Sequence, residues 1–183
     1  MKLNFINIIK YIKMNAKSIF KNPALTGYLV KKINEKYPGK QVGKTIIQRM
    51  MYLLTRSKTV DFDYSMYYYG PFSSEVSGEL NFAQDSGIIQ IEWVDKKGYF
   101  INATTKLNDF DSLITDEEKS AIENITEKFG DFNAIDMSII ASAFFLKDNF
   151  GVSDTELVDV IHQTRQNHPS NYIKNVLQKA TIL

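Results

Sequence analysis

The run Ile89-Gln-Ile91-Glu-Trp93-Val94-Asp95-Lys96-Lys97-Gly98-Tyr99-Phe-Ile101-Asn-Ala103 decides the fold. Apolar and polar side chains alternate on both sides of Asp95–Gly98, and a short glycine-containing loop joins the two halves. A period of two broken by such a loop is the mark of a β-hairpin. Lys96 and Lys97 stand at its tip. Just upstream, Ser73 or Ser74 can cap a helix that buries Val76, Leu80 and Ala83 and stops at Gly87, with Glu75 at its positive dipole end. Gly78 in mid-helix costs about 1 kcal/mol against alanine, and is read as allowing close approach to the strand before it. That strand runs from Asp61 to Tyr69 and is stopped by Gly70-Pro71. Its alternation turns Tyr68 toward the core and Tyr67 and Tyr69 outward.

Farther upstream the period becomes helical. From about Lys44 to Arg56, Ile46, Ile47, Met50, Met51, Leu53 and Leu54 form a wide apolar stripe, with Lys44, Gln48, Arg49, Tyr52 and Arg56 left for the polar side. Leu25, Leu29 and Ile33 mark another helix, ended by Tyr37-Pro38-Gly39. Helix, helix, strand, capped helix and hairpin is the outline of a winged helix. The fold class is therefore α+β, mostly helical, with a winged-helix-like domain over residues 25–104.

Residues 105–183 read as a small helical bundle packed on that domain. Thr115-Asp-Glu-Glu118 and Ser153-Asp-Thr-Glu156 are capping boxes. Asn133 caps a helix to about Leu146 that is apolar nearly all round and hence central. Pro169-Ser170 starts the last helix. At the other end, residues 1–24 form an amphipathic basic helix, with Phe5, Ile8, Ile9, Ile12, Ala16 and Ile19 on one side and a break at Asn22-Pro23.

Charge is divided along the chain. The 183 residues carry 22 Lys+Arg and 21 Asp+Glu, a net charge of +1. Residues 1–60 hold 13 of the basic residues and one acid (Glu35), which is +12, and the remainder is −11. Such asymmetry points to a nucleic-acid or membrane-facing surface, or to two halves that face each other. There is no cysteine, which excludes disulfides, thiolate chemistry and Cys-based zinc. The most apolar run, residues 135–146, is too short to span a bilayer, and the first residues lack a signal-peptide pattern. A cytoplasmic protein with no membrane span is the expectation.

Motifs for chemistry are missing. Gly39-Lys-Gln-Val-Gly43-Lys44-Thr45 has three residues between its glycines where a phosphate loop needs four, and no buried strand precedes it. His162 and His168, the only histidines, lie six apart, which does not suit one helix face binding a metal. Asp61/Asp63 and Asp109/Asp111 lack the glycine and distal glutamate of a calcium loop. No local nucleophile signature is present. The chain reads as a non-enzyme, with no cofactor, metal or small-molecule substrate identified.

Thr45-Ile-Ile-Gln-Arg-Met-Met-Tyr-Leu-Leu54, then Phe62-Asp-Tyr-Ser-Met-Tyr-Tyr-Tyr-Gly-Pro-Phe-Ser-Ser-Glu-Val76, then Leu80 and Gly87-Ile-Ile resemble the YwgA-like family and, more distantly, the Panacea antitoxin domain. The shared pattern is a helix ending in a Tyr-Leu-like pair, an aromatic strand closing on Tyr-Gly-Pro, and a capped helix ending in Gly-Leu/Ile. It covers about residues 25–103. The resemblance implies a non-enzymatic winged-helix-like protein, and the Panacea likeness implies, by analogy, binding to a toxin protein.

Two functions follow. The first is a DNA-contacting transcription regulator, placed first on fold analogy. The helix that would read the groove carries Glu75, Glu79 and Asp85 and no Lys or Arg, so contact would come from Lys31, Lys32, Lys44, Arg49, Arg56, Lys58, Lys96 and Lys97, largely to the phosphate backbone. The second is a protein-interaction module, antitoxin-like or adaptor-like, binding a partner protein or a second copy of itself as a homodimer. Tyr67, Tyr69, Phe72 and Trp93 are its anchors, and the opposed charges would meet across an interface.

Overall fold

A computed structural model describes the backbone of residues 5–183 and the side chains from residue 19 onward. The amphipathic pattern expected for residues 3–20 lies outside the described side chains up to residue 18, and Ile19, expected on its apolar side, is exposed.

Helix α1 (Phe5–Lys36) runs without interruption through Pro23. The expected break at Asn22-Pro23 does not occur, and the expected boundary between residues 24 and 25 falls inside one helix. Proline in a helix interior removes one backbone bond and crowds the carbonyl four residues before it, at about 3 kcal/mol. Pro23 to Val30 and Ile33 are all buried, and that packing outweighs the penalty. Helix α2 (Lys44–Arg56) follows. Every residue from Ile46 to Leu54 is buried, so the polar side expected for Gln48, Arg49 and Tyr52 is absent. Gln48 pays no solvation penalty there: its Nε2 donates to the Ser73 carbonyl (2.8 Å) and to Ser77 Oγ (2.9 Å), and its Oε1 accepts from the Ser73 N–H (3.1 Å).

The aromatic segment is shorter and more folded than a nine-residue strand. β1 (Ser65–Tyr67) and β2 (Gly70–Phe72) form an antiparallel hairpin, with Ser65 opposite Phe72 and Tyr67 opposite Gly70. Gly70-Pro71 therefore begins the return strand. Gly70 has φ +108°, which only glycine adopts readily. Tyr68 sits at the tip and is 78% exposed, the reverse of its expected core placement. Helix α3 (Ser74–Asp85) is capped by Ser73, whose hydroxyl accepts from the Val76 N–H (3.3 Å). Gly78 is exposed with nothing near its missing side chain, so it permits no close packing.

β3 (Ile89–Val94) and β4 (Gly98–Ala103) form the expected second hairpin, pairing Ile91 with Ile101 and Trp93 with Tyr99. The Ile101 N–H also donates to the Val42 carbonyl (2.8 Å), tying the hairpin to the α1–α2 loop. A run of 3-10 turns, Thr105–Leu113, lies against α1. Four helices complete the chain: α4 (Asp116–Phe129), α5 (Ala134–Phe150), α6 (Asp154–Thr164) and α7 (Ser170–Lys179). The capping box at Thr115 with Glu118 forms in full, whereas at Ser153 the Glu156 carboxylate accepts from the Ser153 N–H (3.4 Å) and hydroxyl (2.5 Å) without the return bond to the hydroxyl.

The described chain is mostly helical with two small antiparallel sheets. Helix α5 is buried from Met137 to Ala143 and packs on α2, so the C-terminal helices and the N-terminal half share one hydrophobic core. Among the described residues, no single helix is long and apolar enough to cross a membrane.

Candidate binding site under the tyrosine hairpin

Three of the seven described lysines of the basic half, Lys21, Lys32 and Lys36, are paired with carboxylates of the acidic half of the same chain. Helix α1 faces α4, and its cations meet α4 carboxylates: Lys21 with Glu118 (2.7 Å), Lys32 with Glu123 (2.8 Å) and Lys36 with Glu127. The Tyr28 hydroxyl also donates to Glu123 (2.8 Å). These bonds, that from Lys32 first, hold the Glu123 carboxyl below its usual range, and Lys32 is correspondingly raised. Lys31 lies 3.9 Å from Glu35 on its own helix. At the end of α2, Arg56 reaches Asp148 with two nitrogens (2.5 and 3.2 Å) and covers the Phe144 ring at 4.2 Å.

The eight residues expected to contact nucleic acid are thus dispersed. Lys31, Lys32 and Arg56 are in ion pairs, and Arg49 is buried, 5% exposed. Lys44 places Nζ over the Tyr99 ring at 4.4 Å. Lys58, Lys96 and Lys97 are exposed, and no described carboxylate pairs with them or with Lys44.

The expected anchors are exposed aromatics. Tyr67 and Tyr69 stand with Tyr68 on the first hairpin, where Tyr67 meets Tyr68 edge to face at 5.2 Å and Phe72 at 6.0 Å. Trp93, 65% exposed, meets Tyr99 edge to face at 4.9 Å across the β3–β4 register. Lys44 links the two groups: it lines a groove with Phe72 and lies over Tyr99.

Beneath the first hairpin is a cleft of about 610 Å³ between β1–β2, α5 and α6. Met66, Tyr67, Tyr68, Leu146, Val160 and Ile161 give it apolar walls. Arg165, at the C-terminus of α6, is the one charged residue in the lining, beside Ser142 and Thr164. It is 7% exposed. Its Nη2 donates to the Ser138 carbonyl (3.2 Å) and to Ser142 Oγ (3.0 Å), while its Nε has no partner.

Arg49 lies on the other side of Gly70. Its guanidinium donates to the Tyr69 carbonyl (2.6 Å) and to the Pro71 carbonyl, and so clamps the return strand of the hairpin. Its Nε too has no partner. A Cβ at Gly70 would come within 3.0 Å of Ser142 Oγ, 3.2 Å of Arg49 Nε and 3.2 Å of the Ser138 carbonyl, so glycine is needed there for space as well as for φ. Burial, and then the neighbouring Arg165 charge, lower Arg49 to about 10; burial likewise lowers Arg165. Both remain cationic at neutral pH. Neither has an ion-pair partner among the described residues.

Sequence reasoning placed Arg49 on a solvent face and did not single out Arg165. Both carried a signal. Arg49 falls between Ile46 and Leu53 at i, i+3, i+7, on the buried stripe of α2. Arg165 continues Leu157 and Ile161 at i, i+4, i+8. A charged residue at a core position is a buried polar group that needs partners.

Other residues considered for chemistry do not converge. His162 Nδ1 donates to the His168 carbonyl (2.9 Å), a link that ties α6 to the turn before α7. Among the described residues, no group of three or more His, Cys, Asp or Glu is placed to hold a metal ion. No protein-family model matches the sequence, and no curated protein sequence matches it.

Proposed function

We propose that the chain is a non-enzymatic regulatory protein of winged-helix-like build whose working surface is the aromatic hairpin face, and that it binds a partner protein. The observation that carries this reading is the row Met66–Tyr69 with Phe72: five large apolar side chains, three of them tyrosines at 61–78% exposure, on a short hairpin clamped from below by Arg49. Exposed contiguous aromatics mark interaction sites. Tyrosine and tryptophan are the side chains that most often anchor protein interfaces. The clamp supports rigidity, which lowers the ordering cost of binding.

The order of α1, α2 and α3 followed by the β3–β4 hairpin supports the winged-helix-like reading. A DNA-contacting role draws less support. Three of the eight expected cations are in ion pairs within the chain and a fourth is buried. Lys44, Lys58, Lys96 and Lys97 would then carry it, with the hairpin tip on phosphate.

The test is affinity capture from the native cell with the full chain and with a Tyr67→Ser/Tyr69→Ser variant, the captured proteins being identified by mass spectrometry. A stoichiometric protein retained by the natural chain and lost from the variant is the expected result. Equal capture by both, or capture that is nucleic-acid-dependent and lost after nuclease treatment, contradicts the reading. Sedimentation of the purified chain with and without the double substitution tests whether the partner is a second copy.

A further inference from the structure

The tyrosine cleft has a feature that partner docking does not explain. Two guanidiniums are buried side by side beneath it, and no described carboxylate balances either. A buried cation is costly unless it is paired. Here the hydrogen bonds to carbonyls and to Ser142 satisfy part of each guanidinium and leave both Nε atoms without acceptors. Arginine is a five-donor group with no acceptor. What the centre lacks is an anion, and the cleft opens onto it through Arg165.

We propose that this cleft binds a small carboxylate carried on an apolar body, the carboxylate at Arg165 and the body along Met66, Leu146, Val160 and Ile161. The volume, about 610 Å³, falls among small-molecule sites, which are concave, largely apolar and fitted with a few convergent polar groups. The apolar walls exclude a bare inorganic anion as the preferred ligand, because it would leave them wet. The donor supply selects the head group. The Ser142 hydroxyl already donates to the Ser138 carbonyl (2.7 Å) and that of Thr164 to the Ile161 carbonyl (2.9 Å). Arg165 is left as the one cation of the lining, and its single charge suits the single charge of a carboxylate better than the second charge of a phosphate.

The specific contrast is between an acid and its neutral isostere. The full chain is titrated calorimetrically at pH 7 with 4-phenylbutyrate and with hexanoate, and in parallel with 4-phenylbutyramide and hexanamide. At least one acid is expected to bind, and about tenfold or more tighter than its amide, the difference that a charge-assisted bond supplies. Binding of acid and amide with equal affinity overturns the proposal, as does absence of binding by both acids at millimolar concentration. Inorganic phosphate is the second probe: competition with the acid at equal concentration shows an anion site without the apolar body and also overturns it. The ¹⁵N–H signal of Arg165 Nε in the natural chain is the third readout. It is expected to shift with the acid and not with the amide, and a signal unmoved by a bound acid places the carboxylate elsewhere. No step depends on a substituted protein folding.

Discussion

Two groups of cations in this molecule behave oppositely. Along the α1–α4 seam the charges are on the surface and matched: Lys21, Lys32 and Lys36 each reach a glutamate of α4. Beneath the tyrosine hairpin, Arg49 and Arg165 are buried and unmatched. The difference teaches that a count of charges does not locate the charge available to a ligand. Water screens the seam and makes each of its pairs cheap to lose, with exposed pairs contributing about 0–1 kcal/mol. The buried pair is held by backbone carbonyls, and each bond to a charged donor is worth about 1.5–3 kcal/mol.

The sharpest way to break that comparison is Arg49→Ala. It removes the donors to the Tyr69 and Pro71 carbonyls and opens a cavity in the core, and a loss of about 3 kcal/mol in urea unfolding is expected. A loss under about 0.5 kcal/mol would place Arg49 among the dispensable surface cations. Gly70→Ala comes next. Its Cβ would crowd Ser142 and the Ser138 carbonyl at a backbone angle of φ +108°, and about 1–3 kcal/mol is expected to be lost. Near-ultraviolet circular dichroism should change with it, because the tyrosines move with the turn. Ser142→Ala, which removes one acceptor of Arg165, should cost about 1 kcal/mol.

On the seam, Lys32→Gln is expected to cost under about 1 kcal/mol, and less as salt is raised. A larger or salt-insensitive loss would show that the seam is not a screened surface. The smallest expected effect is one of pH. Glu123 is held below its ordinary carboxyl value, so its contribution is complete above the unfolded value of about 4.3 and is lost as pH falls through the lowered folded value. Unfolding midpoints measured from pH 6 down to pH 3 should show an acid-sensitive component that Lys32→Gln reduces. Arginines stay charged throughout this range, so the buried centre should add nothing to it.

Much of the architecture was legible in the residues. The β3–β4 hairpin, the caps at Ser73, Thr115 and Asn133, and the central apolar α5 are local patterns, and each is realised. Three things were not. Pro23 reads as a helix break because a proline rule is local, whereas the burial that overrides it comes from distant elements. Tyr68 reads as inward because alternation assumes a straight strand, and the left-handed turn at Gly70 folds the strand back instead. The acid partners of Lys32 and Arg56 lie about ninety residues away in sequence. Opposed halves raise the possibility of such pairing, but only the packing of α4 on α1 and α5 on α2 determines which charges meet. The candidate site was half legible. Its outward tyrosines follow from the pattern, while its arginines are hidden by the habit of reading charge as surface.

The central claim is that a small carboxylate is held by the buried cation Arg165 beneath the tyrosine hairpin and not by the matched lysines of the α1–α4 seam. It is tested most directly by the thermal shift that 4-phenylbutyrate produces in the natural chain, in Lys32→Gln and in Arg165→Gln. An equal upward shift is expected in the first two, with none in the third. A shift lost in Lys32→Gln, or kept in Arg165→Gln, would contradict it.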